Sequence, residues 1–360
     1  MRKTAVRAGG PVVVAMLVAF MGCSGGPPKT SGPSPSEMKS AAANPSLGDT
    51  PAAAPPDVPT TFSTVQRQPF AAPPELTSQN GVLETTFDVQ PTTFDVAGVT
   101  VRGYAYQRQF IGPTLRVLPG DTLNIHLRNR LEEPTNLHSH GMFVSPVGIS
   151  DNVLRVMKAG SDNDFVLHLP RDVELGTYWY HTHLHGHVEE QVFAGLSGVL
   201  IVGGLQDRLP AELQNVPDLV MALKDLQVKD GAIVRNNIDS NAPTTRTVNG
   251  QVDPVLTAQT NQTQLLRLAN IGADIWYRLR LGGAQFHVIA EDANPVAEVW
   301  TADELCLCCR RARDTTSSSD GRRRAPTHSK PCPTTPDQTE TTTLSGASRH
   351  FRSPATRSPT

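Results

Sequence analysis

Between Ser24 and Leu305 the sequence has no cysteine. A body without cysteine has no internal disulfide, so its core must hold it together. An excess of one charge is missing as well. Lys and Arg number 32 against 34 Asp and Glu, for a formal net charge of -2, and that balance gives no argument for a nucleic-acid partner. Long hydrophobic runs are confined to Pro11–Met21, a stretch too short to cross a bilayer as a mature helix. With 38% hydrophobic residues and 30 prolines, the composition fits β-rich domains joined by irregular segments and disfavours a helical bundle. At 360 residues the chain is long enough for two domains.

The two ends differ from the middle. Arg2, Lys3 and Arg7 precede the apolar run, and Gly22 and Cys23 close it. Charge, apolar run and small residue in that order predict an export signal over residues 1–23, with a buried strand as the alternative. Cys23 after a small residue is the pattern in which a bacterial lipoprotein carries its lipid, so the expected location is the cell envelope, lipid-anchored through Cys23 or secreted. Residues 24–62 are rich in Pro, Ala, Gly and Ser; they cannot bury enough apolar surface to fold and are expected to act as a tether. Residues 306–360 consist mostly of Arg, Ser, Thr and Pro and are expected to be disordered. Their composition fits codons read in a shifted frame; a genuine disordered basic tail is the alternative. Within this tail, Cys306, Cys308 and Cys309 could bind a soft metal, though nothing around them builds a core.

The middle reads as all-β. "TTFDVAGVTVRGYAY" (Thr92–Tyr106) alternates and is rich in β-branched and aromatic residues. "TLRVLPGDTLNIHLRNRL" (Thr114–Leu131) reads as strand, Pro-Gly-Asp turn, strand. Period 2 puts Leu123, Ile125 and Leu127 on one face and His126 on the other, in solvent. "DFVLHLP" repeats the logic with His168 outward, and "GLSGVLIVGG" (Gly195–Gly204) is a short buried strand. A second unit begins near Leu209, with strand-sized runs at Asp218–Val228, Thr247–Leu256, Gln264–Gly272, Trp276–Gly283 and Gln285–Asp292. Asn249-Gly250 within it is a hairpin signal. Short strands with regular turns predict a β-sandwich or barrel.

Histidine numbers only 11, and His138, His140, His181, His183, His185 and His187 fall in two short stretches, "NLHSHGMF" and "WYHTHLHGHVEEQ". In an extended strand, residues two apart point to one side. His138 and His140 can therefore aim at one spot, and so can His181 and His183. Imidazole is the commonest metal ligand, and nitrogen-rich sites suit zinc, copper, iron or nickel. The alternative for either pair alone is a surface strand with incidental histidines. Two pairs together argue for a shared metal.

"GPTLRVLPGDTLNIHLRNRL…TNLHSHG" (Gly112–Gly141) and "GTYWYHTHLHGHVEEQVFAGLSGVLIV" (Gly176–Val202) closely resemble the first cupredoxin domain of multicopper oxidases, the family of laccases and cuprous oxidases. "LKDLQV", "VNGQVDP", "LLRLANIG" and "FHVIAED" look like its second domain. The resemblance implies a cupredoxin-like Greek-key β-sandwich at residues 63–207 and a second, incomplete one at 208–305. It implies copper as cofactor: His138 on a type 2 copper, His140 on a type 3 copper, and His181 and His183 on the two type 3 coppers, one each. His185 is expected behind these ligands or at the rim of their pocket, and His187 at the rim where Gly186 bends the strand. Asp151 resembles the acidic residue that steers protons near the type 2 copper; an ordinary loop aspartate is the alternative. Copper ions, dioxygen and a reducing substrate of unknown identity are the implied partners.

The family's last domain brings a His-x-x-His-x-His stretch and a His-Cys-His stretch, and this sequence contains neither. No cysteine has a histidine neighbour, so no type 1 copper site is encoded. The expectation is a truncated multicopper oxidase with half of the trinuclear ligands and impaired activity. One rival is a non-enzymatic copper-sequestering protein of the envelope. Another is a zinc hydrolase using Glu189 or Glu190 as general base.

Overall fold

A computed structural model describes residues 67–307, apart from 237, 240, 241, 274 and 283, together with the backbone of strands at 12–18 and 341–344. The stretch read as a leader supplies β1 (Val12–Val18). Cys23 and the tether lie outside the described residues.

The first unit is a sandwich of two sheets. Its strands are β2 (Glu75–Thr77), β3 (Val82–Val96), β4 (Val99–Tyr106), β5 (Gly112–Val117), β6 (Thr122–Asn129), β7 (His138–His140), β8 (Asp162–His168), β9 (Gly176–His181) and, after the helix α1 (Val188–Ala194), β10 (Ser197–Val202). One sheet runs β2-β5-β10-β9-β7. The other runs β4-β3-β6-β8, extended at its β4 edge by two short strands of the second unit, β12 (Val228–Lys229) and β13 (Ala232–Ile233). Neighbours in the sheets are often distant in sequence, as β3 beside β6 and β5 beside β10, which is the cross-connected order of a Greek key.

Alternation explains the layers. Leu123, Ile125 and Leu127 of β6 meet Phe165 and Leu167 of β8 and Tyr180 of β9 in the first core. His126 and His168 face outward, His126 against Asp164 at 2.7 Å. Strand β10 is buried on both faces: Leu200 and Val202 join this core, whereas Val199 and Ile201 join a second cluster with Val220, Ala222 and Ala269. A strand apolar on both faces belongs between two layers, and here the second layer is the other unit.

That unit contains β11 (Asp218–Leu226), β14 (Thr245–Val248), β15 (Gln264–Asn270), β16 (Tyr277–Leu281), β17 (Gln285–Glu291), β18 (Asn294–Ala302) and β19 (Glu304–Leu307). The Asn249-Gly250 turn has both residues at positive φ, 55° and 79°, as a tight hairpin requires. The sheet order is β14-β11-β15-β1-β17-β18, so β1 fills a slot between β15 and β17, parallel to both. In the stretch expected to be a disordered tail, Cys306 and Leu307 complete β19, with Leu307 buried. Further on, β20 (Thr341–Leu344) pairs in parallel with β16. Edge strands accept any extended backbone, and threonine is β-branched, so a segment with no core of its own can still pair. Cys306 is disulfide-bonded, so its sulfur is not a thiolate ligand.

Two local features escape the sequence pattern. The run Thr92–Tyr106 is not one strand: Ala97-Gly98 turns the chain, with φ of 57° and 80°, and Asp95 accepts the Gly98 N–H at 3.0 Å. The residues after His187 form the helix α1. Glu189 and Glu190 in its first turn favour it electrostatically, while Gln191, Val192, Phe193 and Ala194 are buried.

Candidate metal centre

The pairing of β7 with β9 builds the site. The strands are antiparallel, and the register sets His138 opposite His181 and His140 opposite Trp179. His138, His140 and His181 each offer a ring nitrogen, all within 4.8 Å of one another. His183 follows the end of β9, and its ring centroid lies 5.0 Å from that of His138 and 5.6 Å from that of His181. The four rings thus meet at one place, although His183 reaches it from extended loop and not from the strand. Trp179 stacks on His181 with centroids 4.0 Å apart and planes at 19°, which fixes the angle of that ring.

Partners behind the rings select their tautomers. Asp151 is buried, and its Oδ1 accepts from His138 Nδ1 at 2.9 Å and from the Ser139 N–H at 3.0 Å. His181 Nδ1 donates to the Thr182 carbonyl at 2.5 Å. With each Nδ1 engaged, the Nε2 of both rings carries the lone pair. His181 Nε2 faces His140 Nδ1 at 3.3 Å. The His183 N–H donates to Asn136 Oδ1 at 2.6 Å, which ties the loop after β9 to the segment leading into the first pair.

Burial favours the neutral form of His140, His181 and His183. It pushes His140 down to about 4, aided by the positive forms of His138 and His183. It holds His181 well below the ordinary value, with His138 and His140 adding to the effect. His183 is lowered for the same reasons, burial first and then His138. Crowded neutral imidazoles near pH 7 are the donor set that nitrogen-loving cations take, and they need not lose a proton first.

His185 is exposed, on the turn at Gly186 where φ is 87°. Behind the rings stand the Asp151 carboxylate on His138 and the Thr182 carbonyl on His181, with the Asn136 amide on the His183 N–H. His187 Nδ1 is bonded to Glu190 Oε1 at 2.6 Å, and Glu189 is exposed. Glu190 is thus engaged by an imidazole, and no geometry favours it as a general base. Glu133, His187 and Glu190 form a second group with ligand atoms within 4.8 Å, but Arg235 of the second unit lies on Glu133 at 2.6 and 2.8 Å. The guanidinium already supplies the cation there.

Sequence reasoning missed Asn136 and gave Gln191 and Thr182 no role. Their signal is weak: polar residues inside otherwise buried stretches, whose partners sit 47 or more residues away or on a helix that the pattern does not announce.

The sequence model of the family described as "Multicopper oxidase" matches residues 88–207. "Multicopper oxidase mco" of Staphylococcus haemolyticus is 29% identical over 206 residues, 56% of this chain and 45% of that protein. "Cell division protein FtsP" of Sodalis glossinidius is 31% identical over 227 residues, 61% of this chain and 47% of that protein. The chain spans about half the length of these curated relatives. Among solved structures, a multicopper oxidase from Campylobacter jejuni, described as a metallo-oxidase, superposes with a TM-score of 0.52 at 19% identity, covering 69% of this chain and 53% of the other. The multicopper oxidase McoA of Aquifex aeolicus gives a TM-score of 0.55 at 20% identity, covering 67% and 55%.

Proposed function

We propose that the chain is a multicopper oxidase-like cupredoxin protein, and that His138, His140, His181 and His183 hold copper for oxidase chemistry. One observation carries this reading: three ring nitrogens from two paired strands lie within 4.8 Å, with a fourth ring against them. The donor set fits the metal, since it is all imidazole and already oriented. We assign His138 to a type 2 copper and His140, His181 and His183 to type 3 coppers.

Copper there supplies one-electron transfer from a reducing substrate to dioxygen, which takes four electrons and four protons to give two waters. The protein's own contribution is placement. Asp151 holds His138 with its proton on Nδ1 and is the carboxylate in contact with the rings, so we assign it the handling of protons at the site. Trp179 and Asn136 hold the angle of His181 and the loop of His183. The described residues furnish these four ligands and no cysteine thiolate, so we expect bound copper without the intense blue of a copper–thiolate site. The charge, apolar run and Cys23 at the N-terminus support export to the cell envelope.

A second reading is copper binding without turnover, as an envelope sequestering protein. A relative named for cell division, and not for oxidation, matches 61% of the chain at 31% identity and favours keeping it.

Copper content by elemental analysis, with and without His138→Ala and His181→Ala together, tests the site. The double variant should lose the copper that the wild type retains; equal content in both would remove the assignment. Oxygen uptake with a phenol or cuprous ion as reductant then separates the two readings. Uptake that depends on these histidines supports the oxidase, and stable copper with no uptake supports sequestration.

A further inference from the structure

We propose that Gln191 is a positioning residue for the four-histidine site, the buried amide that sets one histidine pair against the other; this rests on the copper reading above. Gln191 lies in α1 and is fully buried. Its side chain spends its whole hydrogen-bonding capacity on the two segments that carry the rings. Nε2 donates to the Pro134 carbonyl at 2.8 Å and to Glu133 Oε1 at 3.1 Å. Oε1 accepts from Thr135 Oγ1 at 2.8 Å and from Thr182 Oγ1 at 2.9 Å. Residues 133–135 lead into the first pair, and Thr182 stands between His181 and His183.

The geometry makes Gln191 a staple. Register between β7 and β9 aligns His138 with His181, but pairing ends there, and His183 lies beyond it. Something other than the ladder must hold the loop after β9, and the Thr182 bond to Gln191, with Asn136 on the His183 N–H, does so. The amide is itself anchored from outside the unit: Glu133 is gripped by Arg235, whose guanidinium lies 4.2 Å above the Tyr104 ring. A leucine of similar size would take from Thr135, Thr182 and the Pro134 carbonyl the one group that binds all three, and the two hydroxyls would be left to each other and to Asn136. A hydrocarbon could fill the same space, so what this amide adds is directed placement of its partners.

The test uses the full chain. Gln191→Glu keeps an oxygen for both threonines but removes the donors and sets a carboxylate against Glu133. Adding Glu133→Gln returns a donor from the other side of the same bond. Thr182→Val cuts the link at its far end and serves if Gln191→Glu does not fold. Hydrogen exchange over residues 180–187 is read in metal-free protein, and copper affinity by chelator competition with the cupric EPR spectrum. The expected result is faster exchange over 180–187, a Kd for copper raised about 10–100-fold and an altered spectrum, all reversed towards wild type in the Glu133→Gln, Gln191→Glu double variant. Folded variants with wild-type exchange, affinity and spectrum would overturn the proposal, and so would losses that track Tm alone with no rescue. Should wild-type protein take up no copper while exchange changes as described, the copper reading falls and the positioning role stands.

Discussion

Asp151 holds two donors with one oxygen, the His138 ring and the Ser139 amide. Replacing it leaves both unpartnered in a buried place and frees His138 to carry its proton on either nitrogen. Asp151→Ala is therefore expected to weaken copper binding by about 10–100-fold, read by chelator competition at pH 7, while Asp151→Asn falls between, since an amide can present either oxygen or N–H to the ring. The pair His138 and His140 was legible in the sequence because strand alternation tells which residues share a side, whereas His183 joins His181 from the loop after β9. Asp151 was legible only through resemblance. Asn136 and Gln191 were not legible at all, since a hydrogen bond across 47 or 56 residues becomes visible only after the strands have been paired.

Strand β10 is enclosed on both faces, and the turn that delivers it is correspondingly tight. Gly195 ends α1 with φ at 134°, and a Cβ there would sit 2.1 Å from the Tyr104 carbonyl oxygen. Neither the dihedral nor the space allows a side chain. Gly195→Ala should lower stability by about 1–3 kcal/mol, seen as a fall in the thermal midpoint of the metal-free protein. An unchanged midpoint would mean that this turn has slack which its dimensions do not suggest. Most strands could be read from their periodicity, including four runs of the second unit that became β11, β15, β16 and β17, whereas the run Thr247–Leu256 shares only Thr247 and Val248 with β14. The Ala97-Gly98 hairpin could not, because alanine is a poor marker of a turn that needs positive φ, and the β-branched residues on either side continue the pattern through it. Helix α1 was hidden for a related reason. It is 7 residues long and lacks a side-chain cap at its start.

Across the whole molecule the two units are joined by more than apolar contact. Lys224 of β11 is fully buried, and its Nζ donates to the Val192 carbonyl and to Ser197 Oγ at 3.1 Å in the first unit. Burial lowers its pKa to about 8. The unfolded chain holds that proton up to about 10.5, so between these values the unfolded state binds more protons, and folding stability rises with pH. Below about 8 the cost of burying the charge is present in full. The urea midpoint of the wild type should therefore gain on that of Lys224→Met as pH rises from 8 to 10; parallel curves would show that Lys224 keeps its ordinary affinity for protons. Resemblance made both units visible in advance, but not the use of residues 12–18. Their apolar run is equally suited to a leader and to an inner strand, and composition alone does not choose. As the proposed export leader this stretch would be drawn out of the sheet, and β15 and β17 would face each other across a gap one strand wide. A chain trimmed of residues 1–23 would carry that gap permanently, with two open rows of amides and carbonyls inviting a neighbour's strand. Sedimentation of the trimmed protein should show concentration-dependent self-association that the full chain lacks, because the strand that closes the sheet is then gone.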